Sequence, residues 1–91
     1  MEATPVVRRG HQTVAIVAVE LVEKLHRLLP SGMVKPSEPY EDEDICLTVY
    51  GPWEGKELKR IRHQIYELEF EIYDKYAVEV VVKALPLSHL A

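Results

Sequence analysis

Residues 55–76 read GKELKRIRHQIYELEFEIYDKY, and the placement of this stretch decides the fold. Leu58, Ile61, Ile65, Leu68 and Ile72 recur at intervals of three, four, three and four, which is one apolar seam along a helix. Tyr66, Phe70 and Tyr73 form a second apolar strip beside it. At ~100° per residue the two strips together cover well over a third of the helix circumference. One sheet face does not usually cover that much, so the second strip is expected to face the first helix or another subunit. Glu69 lies between the strips and is expected close to buried, where a carboxylate needs a partner. Arg62, seven residues earlier on nearly the same line, supplies one from this chain or a neighbouring copy. The expected interface is therefore Tyr66, Phe70, Tyr73 and Glu69.

A strand pattern lies on each side of this helix. In DICLTVY, Ile45, Leu47 and Val49 share one face, while Asp44, Cys46, Thr48 and Tyr50 share the other. GPWEG then turns the chain, and Trp53 with Tyr50 and Pro52 is expected to sit as a lid over the core. In AVEVVVKAL, Val78, Val80 and Val82 share a face opposite Glu79, Val81 and Lys83, and Pro86 ends the strand. A right-handed crossover follows if the two strands are parallel.

Upstream, HQTVAIVAVELVEKLHRLLP carries Val14, Ala18, Leu21, Leu25 and Leu28 at intervals of four, three, four and three, and Val17, Val22 and Leu29 widen this stripe. TVAIVAV alone is β-branched enough for a strand, but no turn signal separates it from the helical ELVEKLHRLL. The spacing predicts a helix with Thr13 as N-cap and Pro30 as its stop. PSGMVKPSEPYEDED is a loop with Pro30, Pro36 and Pro39. Two strands make a thin sheet. Either residues 31–38 add a third or a partner chain does. The expected fold class is a small α/β (α+β) domain in α-β-α-β order, with a two- or three-stranded sheet packed on two helices. Residues 1–10 are expected to be a flexible arm and residues 11–91 a single domain.

The chain of 91 residues is 47% apolar and 29% charged, ordinary for one globular domain. A domain of this size buries only roughly 60–65% of its unfolded surface, so oligomerisation is a ready source of further stability. A homo-oligomer, or association with a protein partner, is expected on that ground. The one cysteine, Cys46, has no internal partner, which fits a reducing cytoplasm. VVRRG near the start is not followed by the apolar region of a signal peptide. The longest apolar run, Val14–Val19, is far short of the ~20 residues that span a bilayer. The expectation is a cytoplasmic protein without a membrane partner. A net charge of −4 argues against nucleic acid, which demands clustered Lys and Arg.

Glu41, Asp42, Glu43 and Asp44 run straight into the first strand pattern. Alternate strand residues point the same way, so Asp42 and Asp44 can hold one Mg²⁺ between them. The run reads equally as a solvated loop beside an edge strand. EDEDICLTVY, followed by a helix ending QIYELEFEIYDKYAVEVVVKALPL, resembles the second half of the minimal nucleotidyltransferase domain of the DNA polymerase β-like superfamily. The resemblance covers residues 41–86, and the helix of residues 13–29 stands where that family's first helix would. It implies that Asp44 occupies the position of the first metal-binding aspartate. Cys46, not a carboxylate, holds the second position, and Glu79 lies near the third. The family's Gly-Ser phosphate motif has no counterpart, since Ser31 and Gly32 stand in the reverse order with no strand before them. The resemblance thus implies the fold more than the activity.

Among the remaining polar residues, the basic stretch over residues 56–62 offers a grip for phosphates or nucleic acid, which ranks last on charge grounds. Lys56, Lys59, Arg60, Arg62 and His63 interleave with Glu54, Glu57, Glu67 and Glu71, as on a solvated face. His11, His26, His63 and His89 show no zinc-ligand spacing, and Cys46 reads as a small buried side chain. The sequence therefore suggests an interaction or structural module, a catalytically inactive nucleotidyltransferase-like protein that self-associates. No catalytic residue and no cofactor are expected. The alternative is a Mg²⁺-dependent nucleotidyltransferase acting through Asp44 with Asp42 or Glu79.

Overall fold

The computed structural model describes residues 11–38 and 42–90. The expected N-terminal arm, and Glu41 of the acidic run, lie outside these residues. Helix α1 spans His11–Leu28, strand β1 Met33–Pro36, strand β2 Ile45–Gly51, helix α2 Gly55–Tyr76 and strand β3 Val80–Pro86, followed by a 3-10 turn over Leu87–Leu90. Two helices and a three-stranded sheet make this a small mixed α+β domain. Among the described residues no helix is long and apolar enough to cross a membrane.

The sheet order is β1-β2-β3. β2 and β3 run parallel, Ile45 opposite Val80 and Val49 opposite Ala84, so β2-α2-β3 is the anticipated crossover unit. The third strand comes from the proline-bracketed loop. β1 pairs antiparallel with β2, Met33 opposite Tyr50 and Pro36 opposite Leu47. The Ser37 N–H extends that pairing to the Cys46 carbonyl at 2.8 Å.

Both helices pack on one face of the sheet. Val17, Leu21, Leu25 and Leu29, the full α2 seam, and Ile45, Leu47, Val49, Val78, Val80, Val82 and Ala84 form one buried cluster. Burying each Val, Leu or Ile side chain of this cluster contributes about 1.5–3 kcal/mol. Thr13 does not cap α1: the helix already includes His11, which puts Thr13 inside the first turn. The β-branched TVAIVAV segment is helical because it continues the apolar stripe of α1, and that stripe packs into the core. Cys46 and Thr48, on the opposite sheet face, are also buried, and the Thr48 hydroxyl lies 2.6 Å from that of Ser37.

Two backbone positions carry the turns that join these elements. Trp53 folds back as the expected lid, and its indole lies directly on Gly51. A Cβ at residue 51 would overlap the indole ring. At the other end of α2, Ala77 adopts the left-handed conformation, φ 57°, and its N–H donates to the Tyr73 carbonyl at 2.8 Å. Left-handed geometry costs a residue with a Cβ about 1–2 kcal/mol, part of which glycine returns through its freer unfolded chain.

Urea denaturation checks both positions. Gly51→Ala is expected to destabilise the domain by about 1–3 kcal/mol, because the methyl forces the buried indole to move. Ala77→Gly is expected to stabilise it by about 0.5–1 kcal/mol.

Candidate functional site

The outward face of α2 and the edge of β3 beside it hold the residues singled out in the sequence. Glu79 turns its carbonyl toward β2, where it accepts the N–H groups of Asp44 at 2.9 Å and Ile45 at 3.1 Å. Strand alternation then turns the peptide groups of Val80, Val82 and Ala84 toward the free edge. Helix α2 reaches over to satisfy two of them. The Glu69 carboxylate accepts the Val82 N–H at 2.8 Å. The Arg62 guanidinium donates to the Ala84 carbonyl from Nε at 3.3 Å and from Nη2 at 3.0 Å.

The expected partner of Glu69 is therefore corrected. Arg62 does lie on the same line of the helix, but among the described residues the two do not pair with each other. Each takes a backbone group of β3 instead, because the strand edge presents both a donor and an acceptor within reach. Glu69 is half-buried there, and burial pushes its carboxyl above the ordinary value while the Val82 N–H pulls against the shift.

The second apolar strip does not face the first helix. Tyr66, Phe70 and Tyr73 are 59%, 62% and 52% exposed, so none of the three is covered by the rest of the domain. Tyr66 and Phe70 stack edge to face with centroids 5.3 Å apart. Together with Glu69, Glu79 and Val80 the three rings line an open groove of about 360 Å³ between α2 and the start of β3. All four expected interface residues thus border one surface.

Helix α1 meets the other flank of α2 through a polar cluster that sequence reading did not anticipate. Glu20 accepts a hydrogen bond from the Tyr76 hydroxyl and lies 3.3 Å from Lys24 and 3.5 Å from Lys75. Lys24 also bridges to Glu71 at 2.8 Å. The Tyr76 hydroxyl, ahead of the two ammonium groups, holds the Glu20 carboxyl below its ordinary value. Only the Glu20–Lys24 spacing was visible in the sequence, since the other contacts depend on how the two helices dock.

The acidic run has a structural use. Asp44 Oδ2 accepts the Glu79 N–H at 2.9 Å, so its carboxylate fastens the start of β2 to the approach to β3. Asp44 and Glu79 are thereby brought together, and Asp42 is exposed. Among the described residues no group of three or more His, Cys, Asp or Glu side chains is placed to hold a metal ion. No known family model, curated protein or solved structure matches the chain.

The strand-edge carboxylate gives a pH-dependent expectation. A carboxyl whose folded pKa is raised adds stability that is complete below its unfolded value and is lost as pH rises through the folded value. Glu69→Gln keeps an acceptor for the Val82 N–H without the buried charge. The variant is expected to match or exceed the native chain by up to about 1 kcal/mol at neutral pH. That gap should close as pH falls toward 4, about the unfolded carboxyl pKa. Urea denaturation of both chains across this range measures the convergence, and a gap that widens on acidification contradicts it.

Proposed function

We propose that this chain is an interaction module that associates with itself through the aromatic face of α2. The observation that carries this reading is the exposure of Tyr66, Phe70 and Tyr73 in one strip, bordering a groove, on a small domain. Aromatic side chains bring a large apolar area at low entropic cost, which is why they are enriched where proteins meet. A nucleotidyltransferase-like outline without the family's chemistry belongs to the same proposal. It is supported by the β2-α2-β3 order, by a buried thiol at Cys46 where the family carries its second carboxylate, and by the use of Asp44 as a backbone acceptor. The buried, unpaired Cys46 also supports a reducing, cytoplasmic setting.

Sedimentation velocity over a concentration series tests the reading. The native chain is expected to move from monomer toward a discrete oligomer as concentration rises. The double variant Tyr66→Lys, Phe70→Lys is expected to remain monomeric with an unchanged circular dichroism spectrum, since both rings are largely in solvent. A native chain that stays strictly monomeric at several hundred micromolar would sink the proposal. An oligomer that the double variant leaves intact would move association off this face.

A further inference from the structure

The aromatic strip is part of a longer pattern that has a direction. Lys59, His63, Tyr66, Phe70 and Tyr73 recur along α2 at intervals of four, three, four and three, and all five are exposed. That is the spacing of a helix seam that packs against another helix. The seam facing the sheet is occupied by core residues, so this is a second seam on the outward side of the same helix. Its N-terminal half is basic and its C-terminal half is aromatic. Asp74 flanks the aromatic end, and Lys56 flanks the basic end. Among the described residues Lys59 and Asp74 make no ion pair.

We propose that two copies of the chain pair α2 against α2 in antiparallel orientation, centred on Tyr66, with Lys59 of each copy beside Asp74 and Tyr73 of the other. This rests on the self-association reading and specifies its geometry. A parallel pair would set Lys59 against Lys59, a like-charge contact on the seam, and would leave the two Asp74 side chains on opposite flanks of the pair, away from Lys59. The antiparallel pair replaces that contact with opposite charges, Lys59 against Asp74, and lays each Lys59 ammonium against a Tyr73 ring, a cation–π contact. His63 of each copy then packs against Phe70 of the other. Residues 59 and 74 lie at nearly equal distances from the centre of the seam, so one two-fold axis satisfies both contacts at once. The Tyr66–Phe70 edge-to-face pair is already formed within one copy, which leaves less to order on association.

Charge reversal distinguishes the orientations. Lys59→Glu alone sets a carboxylate against the Asp74 carboxylate twice across the axis. Asp74→Lys alone sets a second ammonium group against that of Lys59, again twice. Each is expected to weaken self-association by about tenfold or more in sedimentation velocity. The chain carrying both changes has the native net charge of −4, since one loses two charges and the other gains two. It is expected to recover association to within a few-fold of the native chain. If the native chain associates through Tyr66 and Phe70 but both single reversals associate as tightly as it does, the antiparallel arrangement is overturned and self-association stands. Failure of the doubly changed, folded chain to recover overturns it as well. A monomeric native chain removes both proposals together.

Discussion

Helix α2 can take only one rotation about its axis, and three sets of contacts agree on it. Leu58, Ile61, Ile65, Leu68 and Ile72 must face the sheet to close the core. Roughly 60–80° further round, by the ~100° step of the helix, Arg62 and Glu69 reach the free edge of β3. There they take the Ala84 carbonyl and the Val82 N–H. The far flank is tied to α1 through Glu71 and Lys75, and the last turn through Tyr76. With core, strand edge and α1 all satisfied, the line of Tyr66, Phe70 and Tyr73 has nowhere to go but outward. Exposure of that strip is a consequence of the other contacts and not a local accident of packing.

The same contacts shape how the domain can meet a partner. An uncovered parallel edge strand is a template for another chain, and proteins usually blunt it. On β3 the blunting comes from two side chains of the crossover helix, which occupy outward backbone groups of Val82 and Ala84, and from Pro86, which has no N–H to offer. On the opposite edge β1 is four residues long and ends in Pro36. Neither edge offers a long run of free backbone donors. Association through added strands is thus disfavoured, and α1 and α2 carry most of the large apolar side chains that remain exposed, with Met33 and Leu87 the exceptions among the described residues.

Much of this was legible in the sequence because periodicity survives folding. The two seams of α2, the alternating faces of β2 and β3, and the stripe of α1 all follow from spacing alone. Residues 31–38 were one of two expected sources of a third strand, but their antiparallel register on β2 was not legible, since strand pairing is a long-range contact that spacing does not encode. Glu69 and Arg62 were placed correctly on one line, yet their partners were backbone groups, which carry no residue-type signal. Thr13 failed as an N-cap because Ser and Thr are common near helix starts and a cap is defined by backbone geometry. Asp44 illustrates the same limit at the candidate site. The Glu79 N–H that the Asp44 carboxylate accepts is a backbone group, which leaves no trace in the residues around it.

One other exposed apolar pair competes with the α2 strip. Ile16 and Val19 lie on the side of α1 away from the core, 57% and 60% exposed. The next residues on that line are Glu23 and His26, both exposed, so the apolar run stops after little more than one turn. On α2 the apolar line of Tyr66, Phe70 and Tyr73 runs for about two turns, with a formed aromatic pair within it and a bordering groove. Helix pairing gains from length, because each further turn adds contacts without a second cost for bringing the copies together. The direction of charge along α2 adds what the α1 pair lacks. An apolar patch alone sets no orientation, whereas a seam with Lys59 at one end and Asp74 beside the other favours the antiparallel one.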